Sequence, residues 1–220
     1  MKISYFSAVR KSVKIEITSK GEVRVFYPEK LDFLRVEEFV KSKEKWIKNK
    51  VFQATINLDK NQDIFDLKAI LLLGKRVKID FCEVKKPFLS ENILFLPIEA
   101  KNDEALKKKY LKQFVTKFAN EILPQATSFF AEKIGKCPSK ISVSHQKSIW
   151  GSCNSKKEIR FNAKAVMLPK QLMEYVVIHE LCHMKEMNHS KKFWQAVNGF
   201  CNANECRKLL KEYNFLINLF

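Results

Sequence analysis

Three of the four histidines in this chain fall within the eleven residues His179-Glu180-Leu181-Cys182-His183-Met184-Lys185-Glu186-Met187-Asn188-His189, and this stretch calls for a helix followed by a turn. On a helix His179 and His183 stand one turn apart on one face, so both imidazoles reach a single metal ion. Glu180 lies about 100° round from His179. Its carboxylate then approaches a water at the ion without occupying a ligand position, as the general base of a zinc hydrolase must. His189 would bring the protein ligands to three and leave a position open, whereas a structural zinc site is usually closed by four. The pattern His-Glu-x-x-His is therefore a mechanism as well as a string. Glu186 is the competing third ligand, because it would share a face with His179 and His183 if the helix ran on past Asn188. A left-handed Asn188 would instead end the helix and aim His189 at the ion.

The scaffold is read from periodicity. Val13, Ile15 and Ile17 alternate with polar residues, Ser19-Lys20-Gly21 supplies a turn, and Val23, Val25 and Tyr27 alternate again, which predicts a hairpin. From Val36 to Val51 the apolar spacing becomes three and four, predicting one amphipathic helix with Trp46 in the core. Strand-like segments follow at 69–73, 77–84 and 93–98. Composition shifts near Lys101, where Asn102 or Asp103 can cap a helix that Pro124 either ends or kinks before Gly135. Ile141 and Val143 predict a strand, Gly151 to Lys157 a turn-rich loop, and Ile159 and Phe161 the returning strand. Leu168-Pro169 then opens the metal helix, predicted over about Lys170 to Met187, and Ser190 can cap the next one. The expected fold class is α+β: a β-rich region over residues 1–100 with one amphipathic helix, and a helical metal-binding region over 101–220 with a small antiparallel sheet.

The chain has 220 residues, 46% of them hydrophobic, enough for a sizeable core. Its start lacks the apolar run of a signal peptide, no stretch approaches the ~18 apolar residues of a membrane span, and the six cysteines contain no Cys-x-x-Cys pair. A cytoplasmic location away from membranes is expected. The formal charge is +17, with 20 basic and 14 acidic residues in 1–100 and 21 and 10 in 101–220. The excess lies in the half with the histidines, where it would draw in polyanions or acidic protein segments, although the lysines are dispersed rather than gathered into one block.

Ser148-Ile149-Trp150-Gly151-Ser152-Cys153 is the other stretch singled out. A strand beside a metal helix can pair with an extended substrate, and Gly151 would permit close backbone approach. The alternative is a hairpin end with Trp150 in the core. Cys153 reads as an ordinary thiol.

Taken together, Trp150-Gly151-Ser152-Cys153, the run from Tyr175 to His183, Asn188-His189-Ser190 and Phe193-Trp194 resemble the YgjP-like family of metallopeptidase-type domains, which are themselves similar to SprT-like and WLM zinc proteases. The likeness is specific over about Lys147 to Trp194 and weaker elsewhere. It implies a zincin-type core, zinc on His179, His183 and His189, Glu180 as the catalytic residue, and substrate binding by Trp150, Gly151 and Ser152. The chain departs from the long metzincin pattern in having Glu186 where that pattern has glycine, so its turn must be made differently.

The resulting expectation is a zinc-dependent hydrolase, foremost a peptidase acting on peptide or protein. The alternatives are a metal-dependent nucleotide or phosphoanhydride hydrolase, a nucleic-acid-associated protein protease, and a zinc-stabilised interaction module. For the oxyanion-stabilising group, Arg160, His145 and Tyr213 qualify by residue type alone.

Overall fold

In the computed structural model, which describes residues 2–220, the alternating apolar residues form the predicted hairpin: strand β2 (Lys14–Ile17) pairs antiparallel with β3 (Val23–Pro28), Ile15 opposite Val25. Strand β1 (Ile3–Ala8) lies parallel on the far edge of β3, giving the order β1-β3-β2. The predicted single helix is two, α1 (Phe33–Ser42) and α2 (Glu44–Lys60), divided at Lys43, and a short α3 (Gln62–Phe65) follows. Asp32 caps α1 by accepting from the Leu34 amide. Val36, Val40 and Ile47 pack on Val23 and Val25. Trp46, expected in this core, is 45% exposed, because it stands about 100° round the helix from the buried Ile47.

The chain separates into two compact units, Met1–Phe65 and Asp66–Phe220. The compositional boundary at Lys101 thus falls inside the second unit, which also contains the sheet of β4 (Ala69–Leu72), β5 (Lys75–Cys82), β6 (Phe88–Ser90) and β7 (Ile93–Pro97) in the order β4-β5-β7-β6. The β4–β5 turn explains this allegiance. Leu73 donates its amide to the Val166 carbonyl at 2.7 Å, and a Cβ on Gly74, whose φ is +78°, would stand 2.7 Å from Pro169 Cα. Only glycine lets this turn sit so close to the start of the metal helix.

Helix α4 (Glu104–Ile134) is capped by Asp103 and continues unbroken through Pro124. Interior proline costs about 3 kcal/mol. The offset comes from a buried stripe at intervals of four, Leu111, Val115, Ala119, Leu123, Thr127 and Ala131, which runs past it on both sides. Strands β8 (Lys140–Ser144), β9 (Gly151–Cys153) and β10 (Glu158–Asn162) form a mixed sheet in the order β8-β10-β9. β10 runs parallel to β8, so the predicted small antiparallel sheet is antiparallel only between β9 and β10. Part of the predicted loop forms β9 and takes the antiparallel place beside β10.

A buried 3-10 turn over Ala163–Met167 leads into α5 (Lys170–Cys182), which starts after Pro169. Leu172, Met173, Tyr175 to Ile178 and Glu180 to Cys182 are all buried, so this helix is enclosed on nearly every side. Helices α6 (Lys191–Asn198) and α7 (Ala203–Leu210) complete the packing, with Phe193 and Val197 of α6 fully buried. Among the described residues, no helix is long and apolar enough to cross a membrane.

Candidate metal centre

Helix α5 carries His179 and His183 on adjoining turns, and the chain beyond it brings His189 back to the same point. The Nε2 atoms of His183 and His189 lie 3.3 and 3.1 Å from Nε2 of His179. Ligands placed tetrahedrally at about 2.0–2.1 Å from zinc would stand roughly 3.3 Å apart. The three nitrogens therefore already have the spacing of one coordination shell, and among the described residues these histidines form the one group of three or more His, Cys, Asp or Glu able to hold an ion. Their protonation fits as well. Burial, with His183 and His189 alongside, pushes His179 down to about 3, and burial also lowers His183, so both offer the neutral imidazole that a metal requires. The His183 Nδ1 lies 3.1 Å from the Glu186 carbonyl; donating to it leaves Nε2 with its lone pair facing the cluster.

The turn that returns His189 is not made as the sequence predicts. The α-helix ends at Cys182, and the amides of Lys185 and Glu186 both donate to the Cys182 carbonyl at 3.0 Å. Asn188 is not left-handed: the non-glycine residues of positive φ among those described are Leu67, Leu73, Glu91 and Lys157. Instead Asn188 accepts from the Ser190 amide at 2.7 Å, and Ser190 caps α6 through Phe193. Glu186 serves this turn with its main-chain carbonyl, and its carboxylate is not part of the histidine group.

Aromatic rings hold the imidazoles. The Phe193 ring lies 4.5–4.9 Å from all three, and Trp194 stacks on His189 at 5.3 Å and 17° while the Arg207 guanidinium lies 4.5 Å from the Trp194 centroid. His189 is exposed, so these contacts set its ring orientation. Trp194→Ala is expected to weaken zinc binding by about tenfold, in the range lost with an outer-shell partner, and Trp194→Phe to restore most of it. A chelator competition titration measures this; unchanged affinity in the alanine variant would remove Trp194 from the positioning of His189.

Glu180 is 5% exposed, and burial holds its carboxyl at about 8, above the ordinary carboxylate range. It lies beneath β9. A Cβ on Gly151 would stand 2.8 Å from both Cγ and Oε1 of Glu180, so the glycine makes room for this carboxylate. Gly151→Ala must displace Glu180, and since a misplacement of about 1 Å can cost 10²-fold, a loss of about tenfold to 10²-fold in kcat is expected at unchanged metal content. Steady-state kinetics alongside metal analysis would refute this if the variant keeps its full rate.

β9 is an edge strand whose residues, with Trp150, line a cleft of about 480 Å³ together with Tyr175, Glu180 and the three histidines. Trp150, Gly151 and Ser152 are thus brought to the metal cluster. The Trp150 ring is itself largely buried, its Nε1 donating to Asn214 Oδ1 at 3.2 Å. The strand is held from below by Asn162. This fully buried amide donates through Nδ2 to the carbonyls of Gln146 (2.9 Å) and Ile149 (3.0 Å), and its main-chain N–H donates to Trp150 (2.8 Å). Burial raises the Cys153 thiol, in keeping with an ordinary cysteine. None of Arg160, His145 and Tyr213 lines the cleft. Sequence reasoning missed Tyr175 and Asn162; the spacing of Tyr175, four residues before His179, was the available signal for the first, and nothing marked the second.

A family model for the YgjP-like metallopeptidase domain matches residues 11–213. The chain belongs to this family. As a YgjP-like metallopeptidase domain it is a metal-dependent peptidase, and the histidine cluster is where the metal can be held. Among solved structures, the metallopeptidase zymogen abylysin of Pyrococcus abyssi is similar over 42% of this chain and 94% of that one, at 20% identity and a TM-score of 0.39. The zymogen jannalysin of Methanocaldococcus jannaschii is similar over 41% and 92%, at 24% identity and a TM-score of 0.37. No curated protein matches the chain.

Proposed function

We propose that this YgjP-like domain is a cytoplasmic zinc peptidase in which His179, His183 and His189 hold the ion and Glu180 performs the proton transfers. The observation that carries the reading is the buried Glu180 carboxylate, which packs against Gly151 of the edge strand β9 and lines one cleft with the three histidines. When bound, zinc supplies Lewis-acid polarisation of the scissile carbonyl and lowers the pKa of a water toward ~7. Glu180 takes the proton from the attacking water and delivers it to the leaving amine nitrogen. Trp150, Gly151 and Ser152 bind the substrate: an extended peptide pairs with the free main-chain groups of β9, and the ties from Asn162 and Asn214 keep that edge rigid.

The test joins metal analysis to an unbiased peptide library. Zinc should be found in the purified protein, and peptide cleavage should vanish with a chelator and return with zinc. A zinc-loaded chain that leaves the library intact while releasing phosphate from nucleoside triphosphates would replace this reading with phosphoanhydride hydrolysis.

A further inference from the structure

A second depression, of about 880 Å³, opens in the Asp66–Phe220 unit and shares no lining residue with the metal cleft. It runs along α4, with Lys108, Lys109 and Lys112 toward one end and Lys117, about 140° round the helix from Lys112, toward the other, and its four lysines stand against one side-chain carboxylate, Glu121. Lys108 is paired with Glu104. Among the described residues, no carboxylate forms an ion pair with Lys109, Lys112 or Lys117. Gln113 and Asn120 add amide donors along the groove, and His145 also lines it. The His145 Nε2 lies 2.8 Å from Thr116 Oγ1, while its Nδ1 is buried and has no hydrogen-bond partner. Behind it lies the buried Lys164, whose amine donates to the main-chain oxygens of Ile217 and Phe220. Desolvation first, then the Lys112 and Lys164 charges, pushes His145 down to about 4.

The groove is joined to the cleft by the chain itself. His145 lines the one, and Ser148 to Trp150 line the other. Fully extended, the residues from His145 to Gly151 span at most about 20 Å. The Asn162 bonds to Gln146 and Ile149 hold this connection in place.

We infer that the α4 groove is an exosite for an acidic stretch of the polypeptide substrate, lying several residues from the bond cut at Glu180. The inference rests on the peptidase reading for its link to cleavage. An acidic polypeptide suits the lining better than nucleic acid does, because ammonium, amide and hydroxyl donors match carboxylates, while Phe220 and the partly buried His145 are the two rings there and single-stranded nucleic acid calls for a longer series of stacking faces. The exosite sets KM and leaves the chemistry at Glu180 untouched.

The test compares a short peptide carrying a run of glutamates with its glutamine counterpart. Binding is read by fluorescence anisotropy on full-length zinc-loaded Glu180→Gln protein, and cleavage on the wild type, with the run placed on either side of a cleavable sequence. The glutamate peptide should bind about tenfold more tightly at low salt, as a few exposed ion pairs allow, and lose the advantage at high salt. Lys112→Glu with Lys117→Glu should abolish the preference and raise KM for the acidic substrate while kcat and the melting temperature stay unchanged. Equal affinity for the two peptides, or a preference that survives the double substitution, would overturn the exosite. So would a single-stranded oligonucleotide that binds more tightly than the glutamate peptide through the same two lysines. Salt-sensitive, lysine-dependent binding without cleavage of any peptide supports the groove and counts instead against the peptidase reading.

Discussion

Glu180→Gln is expected to leave metal content and melting temperature unchanged and to lower kcat by about 10²–10⁴-fold, the contribution of a positioned proton-transfer group. The substitution is nearly isosteric, which matters because the side chain lies against Gly151 with no space to spare. An amide also satisfies burial at least as well as a carboxyl, so no uncompensated charge is created and folding should not suffer. What is lost is the capacity to take a proton from water and give it to the leaving nitrogen. Metal analysis, thermal melting and steady-state cleavage of one defined peptide are enough to decide the matter. Full turnover in the glutamine variant would remove Glu180 from the chemistry.

His189→Ala should release the metal and abolish activity, whereas Glu186→Ala should keep both. His189 contributes one of three converging nitrogens, and its loss leaves two protein ligands; the deficit should exceed the 10- to 100-fold that accompanies removal of an outer partner. Glu186 contributes its backbone carbonyl to His183, and alanine retains that carbonyl. Zinc stoichiometry after exhaustive dialysis separates the two variants. Retained zinc in His189→Ala with loss in Glu186→Ala would reverse the assignment of the third ligand.

The histidines and Glu180 were legible because their chemistry depends on helical spacing, which is a property of the sequence itself. The same holds for the first hairpin, where Ile15 meets Val25 through alternation and a local turn. The β1–β3 pairing could not be read: parallel partners such as Tyr5 and Val25 are distant in sequence, and no turn signal joins them. The turn at Asn188 was misjudged for a related reason. Residue preference pointed to a left-handed cap, but two amides closing on the Cys182 carbonyl accomplish the reversal without one. Pro124 shows tertiary packing overriding a local breaker. Gly151 was singled out for backbone approach to a substrate, whereas its nearest constraint is the Glu180 side chain, a contact across 29 residues that no local pattern encodes.

The edge of β9 is three residues long, and Asn154-Ser155-Lys156-Lys157 follows it at once. An unpaired strand edge invites the wrong guest, above all another copy of the same chain, and natural sheets guard against this with short edges and lysine. Here the guard has a functional cost. So few main-chain bonds cannot retain a polypeptide for long, so a productive encounter has to be brief, and selectivity has to come from what the rest of the visiting chain touches.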